Sequence, residues 1–342
     1  TSPENIALMV NYMSVFSSAF TVLFLYWTLT LLMKKIPVFQ SLNNINERFT
    51  FFGSAAVGAL AFCFSDSFWF NAVEAEVYAM ATFILSLLFW LGLRWEQDMN
   101  TPRGDRWLLL ISFIIGLSFG VHFMGLLTIP AIGMIYYFKN TPKVTVKSFL
   151  LANVISVAVL LFIFKLLLPT TLAFFGNSEV FFVNKIGLPF NSGTLIAGLC
   201  FLLFFYYSLR YTRRQKWINV NTAILCVLFV LMGFSSWLMI PIRANANTVI
   251  NENSPADARA LLAYYNLEQY PETHLFYGPL FSDIYAGQDE TEPYIDDKPK
   301  YERDYKTGKY IIVNHWERAK INSNSKHRGF LPRLWSSEHA GN

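Results

Sequence analysis

Charge is scarce in this chain: Asp, Glu, Lys and Arg make up 15% of its 342 residues, against about 25% in an ordinary soluble domain. Cysteine is scarcer still. Cys63, Cys200 and Cys226 all fall inside apolar runs, where a thiol acts as a small hydrophobe, so neither a disulfide framework nor a CxxC metal site is available. GxGxxG, GxxxxGK[ST] and HExxH are all missing, which removes the nucleotide-loop and zincin classes. No face concentrates positive charge as nucleic-acid binding requires, so no nucleic-acid partner is expected. What is abundant is apolar: 54% of residues are hydrophobic and 17% aromatic, with 33 Phe. With apolar runs near twenty residues, the solvent of this chain is partly lipid.

Apolar segments fall at about 5 to 33, 49 to 65, 73 to 93, 107 to 139, 148 to 168, 192 to 209 and 217 to 240. The fourth, at 1.5 Å per residue, would make a helix of roughly 50 Å, too long for a hydrocarbon core of about 30 Å. It is expected to break at Gly120-Val121-His122, where Gly116 and Gly120 loosen the pattern, giving about eight membrane helices. The positive-inside rule supports that count. The segments 34 to 48, 94 to 106, 139 to 147 and 210 to 216 carry 13 Lys/Arg, and the alternate connections, of which the last is 165 to 191, carry two. Thr1 and residues 241 to 342 then face the non-cytoplasmic side, and Trp69, Trp95, Trp107 and Trp217 mark segment ends as interfacial anchors.

The sequence divides into a membrane domain, 1 to 240, with net charge +6, and an extracytoplasmic polar domain, 241 to 342, with net charge −2. In the latter, Ser254 is the expected N-cap of an amphipathic helix with Pro255 at its first position. Residues 286 to 309, with Asp289, Glu290, Glu292, Asp296 and Asp297, read as a solvated loop, and 310 to 316 as a strand. The chain begins at Thr1 without a Met and without a basic flank for a signal peptide, so it reads as a fragment.

The segment SDSFWFNAVEAEVYAM, 65 to 80, places Asp66, Glu74 and Glu76 at the outer membrane surface. Ionisable groups at membrane depth are costly and tend to be functional. If a helix starts after Asn71, Asn71 caps it and Glu74 closes a capping box. Glu76, about 200° around that helix, then faces a substrate or pairs with an arginine. Asp66 is a helix-end cap or a member of the site. His122, in the next outer turn, is a hydrogen-bonded core residue or a contact for a phosphate or hydroxyl. Arg243 emerges on the outer side, where it binds a phosphate or pairs with an acid of the tail. Lys165 and Lys185 are weaker candidates, because lysines near helix ends snorkel.

With FWFNAVEAEVYAM, GVHFMG and IPIRANANTVINENSP, the chain resembles a bacterial family of large membrane proteins related to protein O-mannosyltransferases, within the GT-C glycosyltransferase superfamily. The resemblance implies an all-α polytopic GT-C-like bundle in the bacterial inner membrane, with the polar domain in the periplasm. It implies transfer of a sugar, mannose, from a polyprenyl-phosphate lipid to Ser/Thr of a protein acceptor. Glu76, Glu74 and Asp66 are then the candidate catalytic acids, and Tyr78, His122 and Arg243 the candidate substrate-binding residues. Glu76 matches that superfamily's second acidic position. The first acidic motif lies in a first outer loop that a chain starting outside at Thr1 lacks. A divalent cation is an open element of the site. Two other classes share the outer acids: a flippase of lipid-linked sugar, marked by helices broken at the midplane, and a non-catalytic scaffold whose outer domain holds a partner.

Overall fold

The structure, a computed structural model, describes residues 2 to 101, 104 to 246, 248 to 270, 274, 276 to 280 and 288 to 332. Two compact units are present. The first comprises Thr1–Leu168 and Phe201–Met239, the second Pro169–Cys200 and Ile240–Asn342.

The first unit is helical. Its helices are α1 (Ile6–Met33), α2 (Ile45–Cys63), α3 (Asp66–Val73), α4 (Val77–Asp98), α5 (Gly104–Ser118), α6 (Thr128–Asn140) and α7 (Val146–Leu161). Capping explains two of the starts. Asn44 accepts from the Glu47 N–H at 2.8 Å, and the Glu47 carboxylate accepts from the Asn44 N–H, a reciprocal pair that opens α2. Thr145 and Ser148 do the same for α7, each pair satisfying donors that a helix start leaves free.

The chain continues from α7 through a π-helical stretch, Phe162–Leu167, into α8 (Leu168–Phe181) and a second, Phe182–Ile186. After these come α9 (Ser192–Arg214), α10 (Ile218–Phe234), the short α11 (Met239–Ala244) and α12 (Ala258–Tyr265). Each of the expected apolar segments is mainly helical. The expected connection at 165 to 191 is mostly helix instead: Val146–Ile186 runs 41 residues without interruption, about 60 Å and twice the hydrocarbon core. A Pro at 169 does not stop it, because local π geometry re-satisfies the backbone groups that proline frees.

Among the described residues, five helices are long and apolar enough to cross a membrane, six when α2 and α3, bent by 66°, count as one span. Helices α5 and α6 have 15 and 13 residues, about 22 and 20 Å, and fall short of a full core by length. Their directions nonetheless bear out the break in the fourth apolar run. Near its C-terminal end α4 meets the start of α5, where Trp107 donates to Asp98 at 2.7 Å. The same end meets the end of α6, where Trp95 stacks on Tyr136 and Asn140 reaches Met99. So α5 and α6 run in opposite directions, joined by the turn at 119 to 122 and the 3-10 segment Phe123–Leu127. Helix α10 runs parallel to α5, held by Thr222 to Asp105 at one end and by Trp237 donating to the Phe119 carbonyl at the other.

Gly116 has a different role from the one expected. A Cβ there would collide with the Val230 carbonyl, and one at Gly233 with the Phe113 carbonyl. These glycines let two backbones touch, a packing device common between membrane helices. The outward surface is correspondingly apolar: Val146 is 78% exposed, Val57 68% and Leu202 67%, which only a lipid environment tolerates at this density. Trp69 and Trp217 are exposed as anchors should be, whereas Trp95 is buried against Tyr136. Thr1 lies outside the described residues.

The second unit combines helices with strands. Strands β1 (Tyr277–Pro279), β2 (Tyr294–Ile295), β3 (Tyr301–Asp304), β4 (Lys309–Ile312), β5 (Lys320–Ile321) and β6 (Arg328–Phe330) pair antiparallel as β1 with β6, β2 with β5 and β3 with β4. The pairs nest, so the chain doubles back about one tip, where Gly308 takes a φ of +66° that suits a residue without Cβ. The stretch 286 to 309 is therefore partly strand rather than loop; 286 and 287 lie outside the described residues. The strand expected at 310 to 316 is present only to Ile312. Helix α12 starts at Asp257, not Ser254. The Asp257 carboxylate accepts from the Arg259 and Ala260 N–H groups at 2.8 and 2.9 Å. Ser254 has a φ of +40°, outside the extended conformation an N-cap uses.

Candidate functional site

The acidic segment folds otherwise than its spacing suggests. Helix α3 begins at Asp66 and runs through Asn71, so Asn71 is inside a helix and its amide donates to the Ser67 carbonyl at 2.7 Å. It caps nothing, and no box with Glu74 forms. Glu74 instead terminates α3 in extended backbone, and Glu76, also extended, occupies the N-cap position of α4 without accepting a capping bond. The reason lies upstream: Ser65 and Asp66 start the helix earlier, with an acid in the first turn where the helix dipole favours it.

Residues 74 to 76 therefore form a non-helical corner between two helices. Asp66 and Glu76 are exposed and Glu74 half-buried, and none of the three carboxylates has an ion pair or side-chain hydrogen bond among the described residues. The corner is held from below: Phe68 is buried with its ring 4.5 Å from Phe62, and Trp69 stacks on Phe64 at 5.9 Å.

Two residues from Glu76, Tyr78 occupies the first turn of α4, its ring 5.7 Å from that of His122. The structure thus brings together two of the expected substrate-binding residues from segments over forty positions apart in sequence. His122 is half-buried in extended backbone, and its Nδ1 accepts from the Met124 N–H at 3.2 Å. With Nδ1 occupied as acceptor, Nε2 is the ring's donor. The 3-10 segment after His122 packs on α4, which fixes the pairing.

Arg243 belongs to the other unit. It is exposed in α11 and has no ion pair among the described residues, so the expected pairing with a tail acid is not formed there. Two tail acids hold other arginines: Glu268 holds Arg259 at 3.0 and 3.1 Å through both oxygens, and Asp257 holds Arg303 at 2.8 Å. Lys165 and Lys185 lie over the rings of Phe164 and Phe181 at 4.9 and 5.9 Å. As to a divalent cation, no group of three His, Cys, Asp or Glu side chains converges among the described residues, and Asp66, Glu74 and Glu76 do not form a ligand cage.

Sequence reasoning missed a second carboxylate of interest. Glu179, fully buried, accepts from the Asn191 N–H at 2.5 Å and from the Thr194 N–H and hydroxyl at 2.8 and 2.9 Å. Arg303 stands 3.9 Å away and donates to the Tyr310 hydroxyl at 3.0 Å, while Asn184 exchanges two hydrogen bonds with the Tyr310 backbone. Burial pushes the Tyr310 phenol well above its usual range, with the Arg303 hydrogen bond pulling the other way. This network joins α8, the loop before α9, α12 and the β3–β4 hairpin. Its only sequence signal was that Glu179 is the single charged residue between Lys165 and Lys185.

Residues 1 to 145 match the model of the family described as Protein O-mannosyl-transferase TMEM260 N-terminal domain. Residues 271 to 342, which include the nested strands, match a family of unknown function, DUF8416. No curated protein and no solved structure matches the chain.

Proposed function

We propose that the chain is a membrane glycosyltransferase that moves a sugar, mannose, from a polyprenyl-phosphate donor to Ser/Thr of a protein acceptor on the non-cytoplasmic side of a bacterial inner membrane. The observation that carries the proposal is the likeness of residues 1 to 145 to the O-mannosyl-transferase model. That same stretch contains the carboxylate of Glu76, without a partner among the described residues, and the paired Tyr78 and His122.

In this reaction a Ser/Thr hydroxyl oxygen attacks the anomeric carbon while the bond from that carbon to the phosphate oxygen breaks. The electron pair leaves with the phosphate, and the hydroxyl proton passes to a carboxylate. Glu76 suits the task of orienting or accepting that hydroxyl, since no residue described here competes for its oxygens. The His122 Nε2–H suits the leaving phosphate, where charge accumulates, and the Tyr78 ring offers a face for the sugar. Arg243, without an ion pair among the described residues, carries a guanidinium of the kind that binds phosphate. The orientation follows from the 13 basic residues on one set of loops against two on the other.

The test is transfer from a polyprenyl-phosphate sugar to a Ser/Thr peptide, using the full-length protein in liposomes. Glu76→Gln keeps size and polarity but removes the charge, and should lower transfer by about 100-fold with no change in folding. Equal activity in Glu76→Gln and the parent would remove Glu76 from the mechanism. A well-folded parent with no transfer at all would overturn the proposal in favour of a lipid-linked sugar flippase or a scaffold.

A further inference from the structure

The second unit contains a cavity of about 540 Å³ that the transfer reaction does not use. One wall is α8 with the π-helical turn after it, contributing Asn177, Phe181 and Lys185. Facing it are α12 and β3, contributing Asn266 and Tyr301. The volume is that of small-molecule sites, roughly 300 to 1,000 Å³, too small for a folded partner.

The state of each polar group selects the ligand. Arg259 and Glu268 also line the cavity, but their double hydrogen bond neutralises both. Arg259 further lies over the Tyr301 ring at 5.5 Å, so one face of that ring is covered and its orientation set. Lys185 rests its ammonium over Phe181. Besides the Lys185 ammonium, the groups left without a hydrogen-bond partner among the described residues are neutral: the amides of Asn177 and Asn266 and the hydroxyl of Tyr301. Each of them both donates and accepts, as sugar hydroxyls do. An anion would call for several free cations, and the two lysines on these walls, Lys185 and Lys298, both have partners, the first the ring of Phe181.

We propose that this cavity is a saccharide-binding site for a neutral mono- or disaccharide, its hydroxyls held by Asn177, Asn266 and Tyr301. The site shares no residue with Glu76, Tyr78 and His122, and binding does not depend on the transfer reaction.

Saturation-transfer NMR and calorimetry on the full chain in detergent would test it. The probes are methyl mannoside, glucoside and galactoside, the corresponding disaccharides, inorganic phosphate and a Ser/Thr-rich peptide. At least one saccharide should bind. Asn177→Ala should weaken it by about tenfold, the worth of one or two hydrogen bonds to a ligand, and Tyr301→Phe by about fivefold. Tyr301→Phe keeps the ring on which Arg259 rests, so it stays informative if Asn177→Ala fails to fold. Lys185→Met should change saccharide affinity by less than about twofold, since a neutral ligand gains little from the charge. The proposal is overturned if no saccharide binds, if binding is indifferent to both Asn177→Ala and Tyr301→Phe, or if phosphate or the peptide binds there in preference to every sugar. Transfer activity is not read, so these outcomes stand apart from those of Glu76→Gln.

Discussion

Glu76 and Glu179 are both glutamates beside apolar helices, and their surroundings are opposite. Glu179 is fully buried and accepts three hydrogen bonds at 2.5 to 2.9 Å, with an arginine 3.9 Å away. Glu76 is exposed at a helix start and accepts none among the described residues. A buried carboxylate is tolerable only when its oxygens are occupied, so Glu179 is committed to holding its unit together. A carboxylate with open oxygens contributes little to stability and is available to a substrate. The difference argues against reading function from burial alone: the deeper acid is the structural one.

The largest effect that would break the comparison is on stability. Glu179→Ala strips three donors and a nearby guanidinium of their acceptor in a buried site, and should destabilise the second unit by about 3 kcal/mol. Thermal unfolding in detergent, with proteolysis of the tail as a local readout, would show it. Glu76→Gln should leave the same melting profile untouched. A stable Glu179→Ala, or an unstable Glu76→Gln, would mean the roles are exchanged.

A smaller effect concerns Tyr310, whose hydroxyl lies within the Glu179 network, 3.4 Å from that carboxylate. Burial raises its pKa in the folded state, so above about pH 10, where an unfolded tyrosine ionises, the folded protein still holds the proton. The proton kept by the folded state makes a contribution to stability that is fully present below about pH 10 and is lost progressively as pH rises past 10. Melting temperatures of parent and Tyr310→Phe between pH 8 and 11 should run parallel up to about pH 10 and converge beyond it. Parallel curves throughout would show that the phenol titrates normally.

What was legible in the sequence follows from the range of the interactions. The break in the fourth apolar run could be read because it depends on length and on a local cluster, Gly120, Val121 and His122. Local rules failed where two starts competed. Asn71 with Glu74 has the spacing of a capping box but forms none, because Ser65 and Asp66 begin a helix before Asn71 is reached, whereas Asn44 with Glu47 does form one. Ser254 lost to Asp257 in the same way. Nothing local could reveal the Glu179 network, since Arg303 and Tyr310 lie more than 120 positions away. The pairing of Tyr78 with His122 was half legible: both residues could be named, and only the packing of α4 against the 3-10 turn brings them together.

The smallest expected effect is at Glu74, and it sharpens the contrast most closely because Glu74 is two residues from Glu76. Had Glu74 closed a capping box, Glu74→Gln would have been silent and Glu74→Ala costly, since Gln preserves the reciprocal bond and Ala does not. In the structure Glu74 ends α3 with no hydrogen-bond partner for its carboxylate among the described residues, so both substitutions should shift the melting temperature by no more than about a degree or two, the range of a surface change within roughly 0.5 kcal/mol. Transfer activity should stay within a few-fold of the parent for both. Melting curves of the two variants side by side decide the matter. A clear loss in Glu74→Ala that Glu74→Gln restores would reinstate the cap, and a loss of activity in both without a loss of stability would move Glu74 beside Glu76 in the site.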